Sequence, residues 1–190
     1  MKRSLIKALA LLALSLVGSI VQAAPIASLN LAFTEYLGSG PVGNDNLNDD
    51  NNFYWIDEAT GTYAGQNVKS YFLIWEPQNL PDAFGTISFG SNIVALFDEQ
   101  STLLGSSAFG KSGVTYDYTN PFIGLEIGDK TNTSYAGDTL TLSGTGWTAG
   151  IAGDHVRVLV AIPEPGALWL VGVALAAFVV GPRRRTSAAA

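Results

Sequence analysis

Val156-Arg157-Val158-Leu159-Val160-Ala161-Ile162 is an almost unbroken run of β-branched and aliphatic side chains, carries one charge, and ends against Pro163. With His155 before it, the run is expected to be a strand, because such side chains fit a pleated surface. The same signature recurs upstream in short pieces: 26 to 33, Phe53 to Ile56, Ser70 to Trp75, Thr86 to Phe89, Ile93 to Phe97, Val114 to Tyr118, Phe122 to Ile127 and Thr139 to Leu142. Between them lie turn formers such as Glu76 to Asp82, Gly90-Ser91-Asn92, Gly110 to Gly113, Asn120-Pro121, Gly128-Asp129-Lys130 and Ser143 to Gly146. Short strands at this spacing predict an all-β domain, an antiparallel β-sandwich or jelly roll. Asp98 to Phe109 has room for one helical turn, and no fixed-period repeat is visible.

Beyond the last strand the composition changes. Residues before proline are pushed toward extended geometry, so Ile162-Pro163-Glu164-Pro165 is expected to be a stiff, open peptide. Residues 166–181 then carry no charge and no strongly polar side chain, and are followed by Arg183-Arg184-Arg185. As a helix this stretch spans roughly 24 Å against about 30 Å of hydrocarbon, a shortfall that local thinning and arginine reach would absorb. A single C-terminal transmembrane helix is therefore expected, its arginines cytoplasmic by the positive-inside tendency, with 186–190 a cytoplasmic tail.

The N-terminal end is consistent with that topology. Lys2, Arg3 and Lys7 precede an apolar stretch from Ala8 to Ile20, and Val21-Gln22-Ala23 supplies small residues where a signal peptidase reads them. Residues 1–23 are expected to be a cleavable signal peptide. Cutting between Ala23 and Ala24 is favoured, because a cut one residue later would place Pro25 directly after the scissile bond. Residues 24–162 then form one exported domain.

Pro163-Glu164-Pro165, a short apolar helix and an arginine cluster, in that order on an exported chain, resemble the PEP-CTERM sorting signal, over about the last 25 residues. The resemblance implies that Pro163, Glu164 and Pro165 are the recognition element for exosortase, a membrane cysteine transpeptidase of bacteria with an outer membrane. It implies anchoring at the inner membrane first, then cleavage and release of the domain to the cell surface or exopolysaccharide matrix. Signal peptidase and the general secretion machinery are the other implied partners.

The totals narrow the chemistry. The 190 residues include no cysteine, which excludes disulfides, thiolate metal sites and a cysteine nucleophile. Within 24–162 only Lys69, Lys111, Lys130 and Arg157 are basic against fifteen acidic residues, a formal −11. A domain of that charge is not expected to bind nucleic acid or anionic lipid.

Asp45, Asp49 and Asp50, set among amides in the loop from Gly38 to Asn52, are the calcium candidates. The loop lacks the EF-hand pattern, since counting from Asp45 puts Leu47 third and no glycine sixth, so a solvated surface loop competes with that reading. His155 is the only histidine, and no G-x-S-x-G elbow accompanies it. Asp57-Glu58 and Asp98-Glu99 are adjacent pairs that alternate across a strand and form no constellation as written. Tyr54 and the neighbours of Phe72 are candidates for an exposed, sugar-stacking face, with core packing as the ordinary use of such rings. The expected function is a non-enzymatic surface or matrix protein without catalytic residues or a required cofactor. A calcium-assisted carbohydrate-binding module is the alternative, followed by a glycan-processing enzyme.

Overall fold

The computed structural model describes residues 23–79, 82–148 and 153–163. Residues 1–22 of the expected signal peptide 1–23, Glu164, Pro165, the apolar run 166–181, Arg183, Arg184 and Arg185 and the tail 186–190 lie outside the described residues. Among the described residues no helix is long and apolar enough to cross a membrane. Val21–Ile162 is one compact unit.

The chain is all-β. Its strands are β1 (Ile26–Leu29), β2 (Ala32–Glu35), β3 (Pro41–Val42), β4 (Asn52–Tyr63), β5 (Gln66–Trp75), β6 (Asp82–Ser88), β7 (Ile93–Phe97), β8 (Thr115–Tyr116), β9 (Thr133–Ala136), β10 (Thr139–Thr148) and β11 (Asp154–Ala161). The described residues also hold two short helices, α1 (Gln100–Gly105) and α2 (Ile127–Asn132), and a 3-10 turn at Ser107–Phe109. One sheet runs β1-β6-β10-β9 and the other β2-β4-β5-β11-β7, with β3 and β8 forming a small third ladder; neither large sheet closes into a barrel.

The run ending at Ile162 lies near the middle of the five-stranded sheet, antiparallel to β5 on one side and β7 on the other. Its apolar character follows from cover on both faces. Toward the four-stranded sheet, Val156, Val158 and Val160 join Phe53, Trp55, Tyr71, Leu73 and Trp75 against Ile87, Leu140, Leu142 and Trp147. On the other face Ile56, Phe72 and Ile74 pack under Val42, Leu103 and Ile123, supplied by the loop after β2 and the long connection from β7 to α2. Burying each such side chain contributes about 1.5–3 kcal/mol, so this doubly covered sheet dominates the fold. The hairpin β4–β5 closes through Ala64-Gly65, both at positive φ (49° and 80°), the backbone that a two-residue turn between twisted strands requires.

Three expectations need correction. Residues 26–33 are not one strand: Asn30 bonds through its side chain to Asp82 and Phe84, ends the pairing of β1 with β6, and sends the chain to the other sheet. There β2 runs parallel to β4, as β3 does to β8, so the arrangement is not wholly antiparallel. Phe122 to Ile127 is not a strand either; only Gly124 forms bridges, to Glu99 and Asp154, and α2 starts at Ile127. Gly124 has φ of 120°, and a Cβ there would lie 2.4 Å from the Asp98 carbonyl oxygen, so the close approach that seats this segment needs glycine.

Candidate functional site

Strand β11 carries buried charge on both faces. Side chains alternate along it, so Asp154 shares the inner face of Val156, Val158 and Val160, while His155 and Arg157 point to the covered outer face.

Arg157 is fully buried, and each of its nitrogens has an acceptor. Nε and Nη2 donate to the two carboxylate oxygens of Glu58 at 2.7 and 2.8 Å, and Nη2 also to the Tyr118 hydroxyl at 3.0 Å. Nη1 donates to the Leu103 carbonyl and the Ser106 hydroxyl at 2.9 and 2.7 Å, and Ser70 donates to Glu58. Phe72 and Tyr116 present their rings to the guanidinium at 5.1 and 5.6 Å. Burial pulls the Arg157 pKa down, but the Glu58 carboxylate outweighs it and the net direction is up. This is a closed ion-pair network with a structural use.

His155 makes the second buried pair. Its Nε2 lies 2.7 Å from Glu76 Oε1, both side chains are fully buried, and Phe72 stacks on the imidazole at 5.9 Å. The other Glu76 oxygen accepts from the Leu47 backbone at 2.8 Å, and the Glu76 carbonyl accepts from Asp49 N at 2.9 Å. The pair pins the acidic loop to the sheet and is sealed from solvent. His155 thus anchors the acidic loop to β11 through Glu76.

The inner-face group is different. Asp154 has no exposed surface, and neither carboxylate oxygen has a hydrogen-bond partner. One of its oxygens and one each from Glu126 and Asp129 lie within 4.8 Å of one another. Gly124, bridged to Asp154, delivers Glu126 at the start of α2, and Asp129 follows one turn on. Asp129 is buried and accepts from Thr148 N at 3.0 Å, while Glu126 is exposed. Burial, then the neighbouring Asp129 and Glu126 charges, pushes the Asp154 pKa well up. Asp129 is raised too, chiefly by burial. Lys130, adjacent in sequence, turns its ammonium instead to Glu99 at 2.6 Å and Asp98 at 3.8 Å.

The sequence-based candidates separate. Asp49 is raised by burial but held below its ordinary pKa by hydrogen bonds from Tyr54 and from Asn51 and Asn52. Asp50 accepts from Asn79, through backbone and side chain, and from Gln78, which lowers it. Asp45 sits toward Glu76 and His155, its pKa raised by burial and then by Glu76. The structure does not bring these three together. Ser70, Tyr71, Leu73 and Ile74 around Phe72 are all buried, and Tyr54 is half-buried and bonded to Asp49, so none of them offers a sugar-stacking face. Exposed rings occur elsewhere, at Phe84, Phe122 and Tyr135. Ala23 and Ala24 are exposed, with the Ala23 carbonyl accepting from the Tyr71 hydroxyl at 3.0 Å, and Pro163 is exposed.

Asp154, Asp129 and Glu126 were missed as a group because the chain separates them and the fold joins them. One signal was present: stepping back by twos from Val160 through Val158 and Val156 places a carboxylate on a core-facing position. Family models, curated proteins and solved structures were all compared with the chain, and none matches.

Proposed function

We propose that this chain is a non-enzymatic exported protein, carried out of the cytoplasm by residues 1–23 and sorted by exosortase through Pro163-Glu164-Pro165 to the cell surface or exopolysaccharide matrix. The observation that carries the reading is the order of three elements after the last strand: the Pro-Glu-Pro peptide, the apolar run 166–181 and Arg183 to Arg185. A structural rather than catalytic use of the domain is supported by the commitment of its histidine and of Arg157 to buried carboxylates. Backbone pairing continues to the residue before Pro163, with Ala161 N donating to Asn92 O and Ile162 N to Asn67 O. Processing near Pro163 then requires this strand end to fray, and a flexible Gly/Ser insertion after Ala161 speeds processing in a pulse-chase experiment.

The intact mass of protein recovered from medium or cell surface tests the proposal. A mass beginning at Ala24 and ending between Pro163 and Gly166 is expected, and a product retaining Arg185 counts against sorting. One observation favours carbohydrate binding as the second reading. An open cleft of about 700 Å3 is lined by Glu99, Gln100, Glu126 and Lys130 beside Phe122 and Ile127, whose side chains are largely exposed. Glycan-array binding lost in Phe122→Ala would support it.

A further inference from the structure

We propose that Glu126, Asp129 and Asp154 form a divalent-cation site of the calcium class, tying the segment that leads into α2 to the first residue of β11. The inference is independent of the sorting reading, and it shares Glu126 with the cleft.

Two observations carry it. The first is convergence: three carboxylates from two distant stretches place ligand oxygens within 4.8 Å of one another, inside the roughly 5 Å that separates oxygens on opposite sides of a calcium ion. The second is Asp154 itself, a carboxylate with no exposed surface whose two oxygens accept from no donor. Buried carboxylates are normally paired or hydrogen-bonded, because an uncompensated charge in the interior is costly. Arg157, on the same strand, shows how this fold meets that need with its own side chains. Here, among the described residues, no lysine, arginine or histidine reaches any of the three carboxylates.

The ligand chemistry selects the ion. All donors are carboxylate oxygens, with no imidazole or thiolate, which favours a hard cation over zinc or copper. The site is asymmetric: Asp154 is sealed, Asp129 is held by Thr148 N, and Glu126 opens to solvent. A cation would enter past Glu126 and complete its shell with water on that side, an irregular arrangement that suits calcium better than octahedral magnesium.

The test uses the full chain, stripped with chelator and titrated with calcium chloride. A saturable rise in unfolding temperature is expected, roughly 10 °C at a hundredfold excess over the dissociation constant, with matching binding heat in calorimetry. Asp154→Asn should lose the shift without a lower starting temperature, since it removes an unpartnered buried charge. Glu126→Gln alters an exposed residue, folds whatever the fate of the core variant, and should weaken calcium binding at least tenfold. Asp50→Asn should leave the response unchanged. Absence of any shift or heat up to millimolar calcium overturns the proposal, and so does a shift of wild-type size in both Asp154→Asn and Glu126→Gln.

Discussion

Arg157 and Asp154 stand three residues apart on one strand, both without solvent exposure, and the fold treats them in opposite ways. Around Arg157, side chains and carbonyls from β4, α1 and the connection before α2 satisfy every nitrogen. Beside Asp154 the fold places two more carboxylates, Asp129 and Glu126. A buried charge whose partners are all supplied by the chain belongs to the architecture. A buried charge surrounded by its own sign is stable only with something added, a proton or a cation.

The comparison breaks most visibly at Glu58. Glu58→Gln leaves the guanidinium buried without its counter-charge and with one of the two acceptor oxygens replaced by a donor, and should destabilise by about 3–5 kcal/mol in urea unfolding. Asp154→Asn, measured in chelator, should go the other way, stabilising by about 1–3 kcal/mol through loss of an unsatisfied charge. Equal signs for the two substitutions would erase the contrast between the faces.

Acidity sharpens it further. Asp154 and Asp129 have folded pKa values above their ordinary ones, so in that window the folded chain holds more protons than the unfolded one. Chelated protein should therefore lose stability as pH rises from about 4 through the raised values, at up to about 1.4 kcal/mol per pH unit for each group. Asp154→Asn should flatten that slope, and urea midpoints at successive pH values measure it. The smallest effect is expected at Asp50, whose partly exposed carboxylate accepts from Gln78 and Asn79 in the connection between β5 and β6. Asp50→Asn should move the unfolding temperature less than any other change named here.

Local pattern carried the strands well where it was strong. Ile93–Phe97 is a strand with the expected limits, and the runs at Ser70 and His155 are the heart of the larger sheet. It failed where a single side chain redirects the backbone, as Asn30 does, or where an element lacks an apolar stripe. α2 is six residues, leaves Ile127 exposed and buries Asp129, so Gly128-Asp129-Lys130 resembles a turn. The acidic loop drew attention because its aspartates are neighbours in sequence. Asp45, Asp49 and Asp50 nonetheless serve separate local hydrogen bonds and electrostatic neighbours, whereas Asp154 and Glu126 meet only through tertiary contact. Two-step alternation along β11 gave the one advance sign of that meeting.

Because β11 pairs with β5 and β7 together, its ladder meets a load applied along Pro163 in shear, with bonds on both flanks resisting at once instead of opening singly from an edge. A domain held by whatever follows Pro163 would thus meet drag from flowing liquid through a strand bonded on both flanks, and rupture would be governed by the rate of forced unfolding.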